Sequence, residues 1–151
     1  MERIAKYGCL LVLLALGSCK KNDSMTPGGP VTMYLIGRWK LDKIVTPTQE
    51  KLADRLGYTE ILEVGNDQIE DYEKIFRDEK LISTYERSRI THPVASAKNM
   101  TATITYRNGL KRFYKITNTA KLGEFRLETS AYLPEIGTPQ DSIKYYYSFI
   151  P

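Results

Sequence analysis

From residue 33 onward, apolar and polar positions alternate with a period of two over short runs, and turn residues separate the runs. That is the pattern of antiparallel strands with one face on a core. The clearest run sets Met100, Ala102, Ile104 and Tyr106 against Thr101, Thr103 and Thr105. Asn108-Gly109 follows and predicts a type I′ hairpin, a turn that needs positive φ at both positions. Arg112 to Asn118 is then the returning strand. Phe125, Leu127, Thr129 and Ala131 alternate with Arg126, Glu128 and Ser130, and Ile143, Tyr145, Tyr147 and Phe149 alternate with Lys144, Tyr146 and Ser148. Four further strands are expected at 33–45, 59–64, 69–77 and 80–90, with Leu35, Gly37, Trp39 and Leu41 on one face of the first.

The stretch from Gln68 to Asp78 fits two patterns. Ile69, Tyr72 and Phe76 also have helical spacing, and Asp67 with Glu70 matches a capping box. Strand is favoured, because Arg77-Asp78-Glu79-Lys80 then turns the chain into Leu81. Between the first two strands, Thr48 is placed to cap one short helix that carries Leu52 and Leu56 and ends at Gly57. Eight strands joined in order by short connections predict an all-β, antiparallel up-and-down barrel, since closing the sheet removes both edges. The interior of such a barrel holds either packed side chains or one small ligand.

Ahead of the strands, Arg3 and Lys6 precede an uncharged run from Tyr7 to Leu16 and then Gly17-Ser18-Cys19, the order of a secretory signal. The apolar run is shorter than the roughly 20 residues of a membrane-spanning helix. Leu16-Gly17-Ser18-Cys19 resembles the lipobox of bacterial lipoproteins, which implies removal of residues 1–18 and lipidation of the Cys19 thiol. The membrane is then a partner through that lipid, because two or three acyl chains hold a protein on a bilayer where one does not. Cys9 leaves with the signal, so the mature chain is expected to have no internal disulfide. Lys20 to Pro30, with two glycines, two prolines and no apolar period, reads as a flexible tether, and residues 31–151 as one domain. Lys20 in place of an acidic residue after Cys19 points to the outer membrane, with the periplasmic and surface faces both open.

Charge narrows the partners. Losing residues 1–18 removes Arg3, Lys6 and Glu2 and lowers the net charge from +4 to +3, and the basic residues form no dense run, which argues against nucleic acid. An enzyme is not expected. The one histidine, His92, stands before Pro93 in a stretch that reads as a loop, without the partners a catalytic base needs. No phosphate loop, zinc spacing or cofactor motif is present. Glu60, Glu63, Asp67, Glu70, Asp71 and Glu73 lack the spacing of a calcium loop and read as a solvated strand face.

Leu35-Ile36-Gly37-Arg38-Trp39-Lys40-Leu41 resembles the Gly-x-Trp opening of the first barrel strand in lipocalin-like proteins. The domain as a whole is similar to the small lipocalin-like lipoproteins of Bacteroidota. The resemblance implies an eight-stranded barrel in which Gly37 and Trp39 build the closed end. It further implies that Trp39 meets a basic side chain from a late strand, Arg126 or Lys144, in a cation–π contact. Tyr106, Tyr114, Phe125, Tyr145 and Tyr147 fall on predicted strands and are the candidate ligand-lining residues if the barrel is hollow. Two functions follow. The first is a membrane-anchored protein that binds a small lipophilic or amphiphilic molecule inside the barrel. The second is a cell-envelope interaction module with a filled barrel, an accessory subunit or inhibitor that uses a face such as the loop from Ala131 to Asp141.

Overall fold

The computed structural model describes residues 34–67, 70–95, 99–118 and 124–151. The signal, Cys19 and the tether lie outside these described residues. Among the described residues nine antiparallel strands follow one another: β1 Gly37–Val45, β2 Glu50–Leu52, β3 Glu60–Asn66, β4 Asp71–Arg77, β5 Lys80–Ala95, β6 Asn99–Tyr106, β7 Lys111–Asn118, β8 Phe125–Ser130 and β9 Lys144–Ile150. From β3 to β9 each strand pairs with the next, and β1 closes the ring by pairing with β3 on one side and β9 on the other. The result is a closed eight-stranded antiparallel barrel. The three-residue β2 lies on the distal half of β1, with Lys43 opposite Leu52.

Alternation decides which side chains fill the interior. Met100, Ala102, Ile104 and Tyr106 of β6 all point inward and are buried, as do Ile116, Leu127 and Tyr147 on the strands beyond. Trp39 and Leu41 continue the same layer from β1. Tyr34 and Leu35 are helical, and fully buried Leu35 plugs the end of the barrel where β1 begins. The first strand therefore starts at Gly37, four residues later than expected, because the chain crosses the barrel end before it joins the sheet.

Several local expectations change. No helix follows Thr48: Thr46 forms the turn instead, its hydroxyl accepting from the Gln49 amide at 3.1 Å, and β2 leads into a single 3-10 turn, Ala53–Arg55. Leu52 is exposed rather than packed as a helix face, and only Leu56 reaches the core. The segment from Asp71 to Arg77 is strand, residues 68 and 69 lie outside the described residues, and the Asp67/Glu70 signal belongs to a turn in which Asp67 Oδ1 accepts from the Glu70 amide at 2.9 Å. Asn108-Gly109 does not make a type I′ turn: only Gly109 has positive φ, at 84°. The loop is longer because Asn108 uses its side chain to accept from the Leu110 amide at 3.1 Å. The two-residue turn with positive φ at both positions lies instead at Asp78 and Glu79, 46° and 66°. Tertiary contact selects it, since Asp78 accepts the Thr59 amide on Oδ1 and donates its own amide to the Thr59 carbonyl, each at 2.9 Å. His92, expected in a loop, lies within β5.

Candidate ligand site at the mouth of the barrel

The two ends of the barrel differ in chemistry. Where β1 begins, apolar rings close the end. Trp39 is fully buried, donates from Nε1 to the Leu35 carbonyl at 2.9 Å, and meets Phe149 edge-on at 5.2 Å. Phe125 packs beside Phe149 and Tyr34, so it belongs to this plug and not to a ligand site. Gly37 has φ 140°, and a Cβ there would lie 2.5 Å from the Phe149 ring, so only glycine lets Phe149 cover the end. The expected cation–π contact is not made. Arg126 turns outward to Asp42 and Ser148, and Lys144 lies over the Phe113 ring at 5.8 Å. The Phe149 ring packs against Trp39 in place of a cation.

At the opposite end, where β3 starts and β4 finishes, the interior turns polar. Glu60 and Glu73, expected on a solvated face, are instead buried inside, at 3% and 0% exposure, because they share the inward parity of Leu62, Val64 and Ile75. Their charges are met by arginines. Arg77 donates from Nε to Glu60 at 2.8 Å, and Arg112, 1% exposed, lies 3.7 Å from the Glu73 carboxylate.

Phenols connect these charges. Arg112 Nη1 donates to the Tyr132 hydroxyl at 2.9 Å and more weakly to that of Tyr114 at 3.4 Å, and both hydroxyls donate on to Glu73 Oε2, at 3.1 and 2.5 Å. Arg112 Nη2 donates to the Tyr147 hydroxyl at 3.4 Å, which donates to Glu60 Oε1 at 2.9 Å. Arg112 Nε is held by the Ser130 carbonyl at 2.9 Å. Burial, reinforced by the charge of Glu73, pushes the Tyr106 phenol well above its ordinary value. Burial likewise raises Tyr114, Tyr132 and Tyr147 against the opposing pull of Arg112. Burial disfavours the Arg112 charge, but the phenolic oxygens and Glu73 outweigh it and hold the guanidinium firmly protonated.

Above this network opens a recess of about 170 Å³. Glu60, Arg112 and Tyr147 are its buried polar lining, Arg77 reaches in from the solvent side, and Ile75, Tyr85, Tyr132 and Tyr145 are its walls. Ile82, which is exposed, and Ser83 stand at the lip, with Ala131 on the other side. Tyr85 and Tyr132 stack face to face at 3.8 Å and 13°. A wider groove of about 880 Å³ runs over the outer face between Arg38, Ile61, Phe76 and Asp78. It is bordered by outward, solvated side chains and converges on no buried polar group, so the recess is the better candidate. The chain matches no family model, no curated protein and no solved structure. Its site therefore rests on its own geometry.

Of the five tyrosine and phenylalanine candidates, Tyr145 and Tyr147 line the recess. Tyr106 and Tyr114 lie below it, hydroxyl to hydroxyl at 2.9 Å, and support its floor. Tyr85, Tyr132 and Arg112 are members that were not among the sequence-derived candidates. Tyr132 sits in the segment from Ala131 to Asp141, expected to be an exposed face, whose start is stitched into the barrel by two backbone hydrogen bonds between Leu133 and Lys111. Among the described residues no cluster of His, Cys, Asp or Glu is arranged to hold a metal ion.

Proposed function

We propose that this is a membrane-tethered binding protein that takes a small amphiphilic molecule in the tyrosine-walled recess at the mouth of its barrel. The recess carries the reading: apolar and aromatic walls above a few convergent polar groups are the usual make-up of a small-molecule site. Its 170 Å³ is below the roughly 300 Å³ of sites for drug-sized ligands, and Trp39, Ile104 and Tyr114 fill the barrel beneath. A long acyl chain therefore has no room, and the ligand is a compact one.

Native mass spectrometry of the protein purified from its own membranes tests this. A stoichiometric small-molecule adduct, lost on Tyr145→Ala, is the expected result. An adduct-free mass from freshly isolated protein counts against a binding role. In that event the interaction-module reading takes over, for which Leu81 and Ile82, each 53% exposed at the lip, are the contact candidates.

A further inference from the structure

We infer that the ligand of this recess is a neutral single-ring phenol; the inference rests on the binding-protein reading above. Volume sets the size. A cavity of about 150 Å³ accommodates benzene, so the 170 Å³ recess takes one ring with a small substituent. The walls suit a ring face, with Ile75, Tyr145 and the stacked pair Tyr85 and Tyr132 around it.

The floor selects the polar group. Three of the protein's own phenols make the same bridge. Tyr114, Tyr132 and Tyr147 each accept from Arg112 and donate to a buried carboxylate, Glu73 for the first two and Glu60 for the third. One such bridge is left unbuilt. Arg112 Nη2 carries two N–H groups and makes one long bond, to Tyr147. Among the described residues Glu60 Oε1 accepts only from Tyr147, and a carboxylate oxygen has capacity for a second donor. Both atoms belong to residues that floor the recess. A hydroxyl entering there accepts from Arg112 and donates to Glu60, which an ether, an ammonium or a carboxylate does not do.

Charge argues the same way. Arg77 and Arg112 are balanced by Glu60 and Glu73, so the site offers no net field to an ion, and burying a charge without a partner is costly. A phenol is neutral at pH 7, since its ordinary pKa is about 10.

The test compares p-cresol with toluene and benzoate by isothermal titration and saturation-transfer NMR on the purified protein. Two filling variants, Ser83→Leu and Ala131→Leu, enter the recess from opposite walls and leave the buried network untouched. The expected result is p-cresol binding about ten-fold or more tighter than either analogue, the difference of one charge-assisted hydrogen bond, and its loss in whichever filling variant folds, with both expected to do so. Equal affinity for toluene and p-cresol overturns the phenol assignment, and so does p-cresol binding that survives filling. If p-cresol does not bind but protein from native membranes retains another small molecule that Ser83→Leu expels, the binding-protein reading stands and the phenol falls. If nothing is bound or retained, both fall.

Discussion

Arg112 and Glu73 are a charged pair sealed from water, and each answers differently to the loss of the other. Without Arg112, Glu73 stays buried among phenols with no cation, and its Oε1 already has no hydrogen-bond partner among the described residues. Breaking a buried pair by removing one partner costs about 3–5 kcal/mol, and Arg112→Met is expected to lie in that range by urea denaturation. Glu73→Gln should cost less, about 1–3 kcal/mol, because Arg112 keeps the Tyr132 and Tyr147 hydroxyls and the Ser130 carbonyl. The double variant Arg112→Met, Glu73→Met should cost less than the two single methionine variants summed. Additive costs would mean the two charges do not interact. None of this pairing was legible in the sequence, where Arg112 opens a strand like any surface arginine. The signal was present only as parity. Arg112 is two residues from Tyr114 and shares its inward face, and Glu73 is two from Ile75, so strict alternation already put both charges inside.

At the scale of the elements, the hairpin between β4 and β5 carries a local cost. Glu79 adopts φ 66° without being glycine, a conformation that costs a side-chain-bearing residue about 1–2 kcal/mol. Glu79→Gly is expected to stabilise the fold by about 1 kcal/mol, net of the entropy glycine adds to the unfolded chain, read as a higher urea midpoint. Asp78→Gly, equally free in φ, should bring no gain, because it removes the acceptor of the Thr59 amide. A gain from Asp78→Gly would show that the clamp to Thr59 contributes nothing. Strands β6 to β9 were readable because each carries an uninterrupted two-residue period. Turn type was not, since it depends on what neighbouring strands offer. Asn108-Gly109 is the stronger dipeptide, yet Asp78-Glu79 takes the tighter turn because β3 starts beside it.

For the whole molecule, the buried phenols tie stability to alkaline pH. In the folded state Tyr106, Tyr114, Tyr132 and Tyr147 hold their protons to higher pH than a free phenol does, chiefly through burial. The folded protein thus binds these protons more tightly than the unfolded chain. Their contribution is complete below the unfolded value and is lost as pH rises through it toward the folded values. Unfolding free energy should therefore be level up to about pH 9 and fall steeply above about pH 10. Tyrosine absorbance should show an exposed class titrating first and a buried class titrating only with unfolding. A single class with an ordinary midpoint, with no loss of stability, would contradict the buried network.

By itself the sequence determined the all-β class, the order of the barrel strands and their closure, because a two-residue period with short connections leaves an antiparallel sheet few alternatives. The resemblance of its Gly-x-Trp to a known strand opening further marked Gly37 and Trp39 as a barrel-end pair. Only the tertiary structure decided that the interior is filled at that end and polar at the other, with a small recess above Arg112. The reason is physical. Hydrogen bonds such as Tyr147 to Glu60 and Tyr132 to Glu73 join residues 87 and 59 positions apart, and barrel closure and register, not local pattern, bring those partners together.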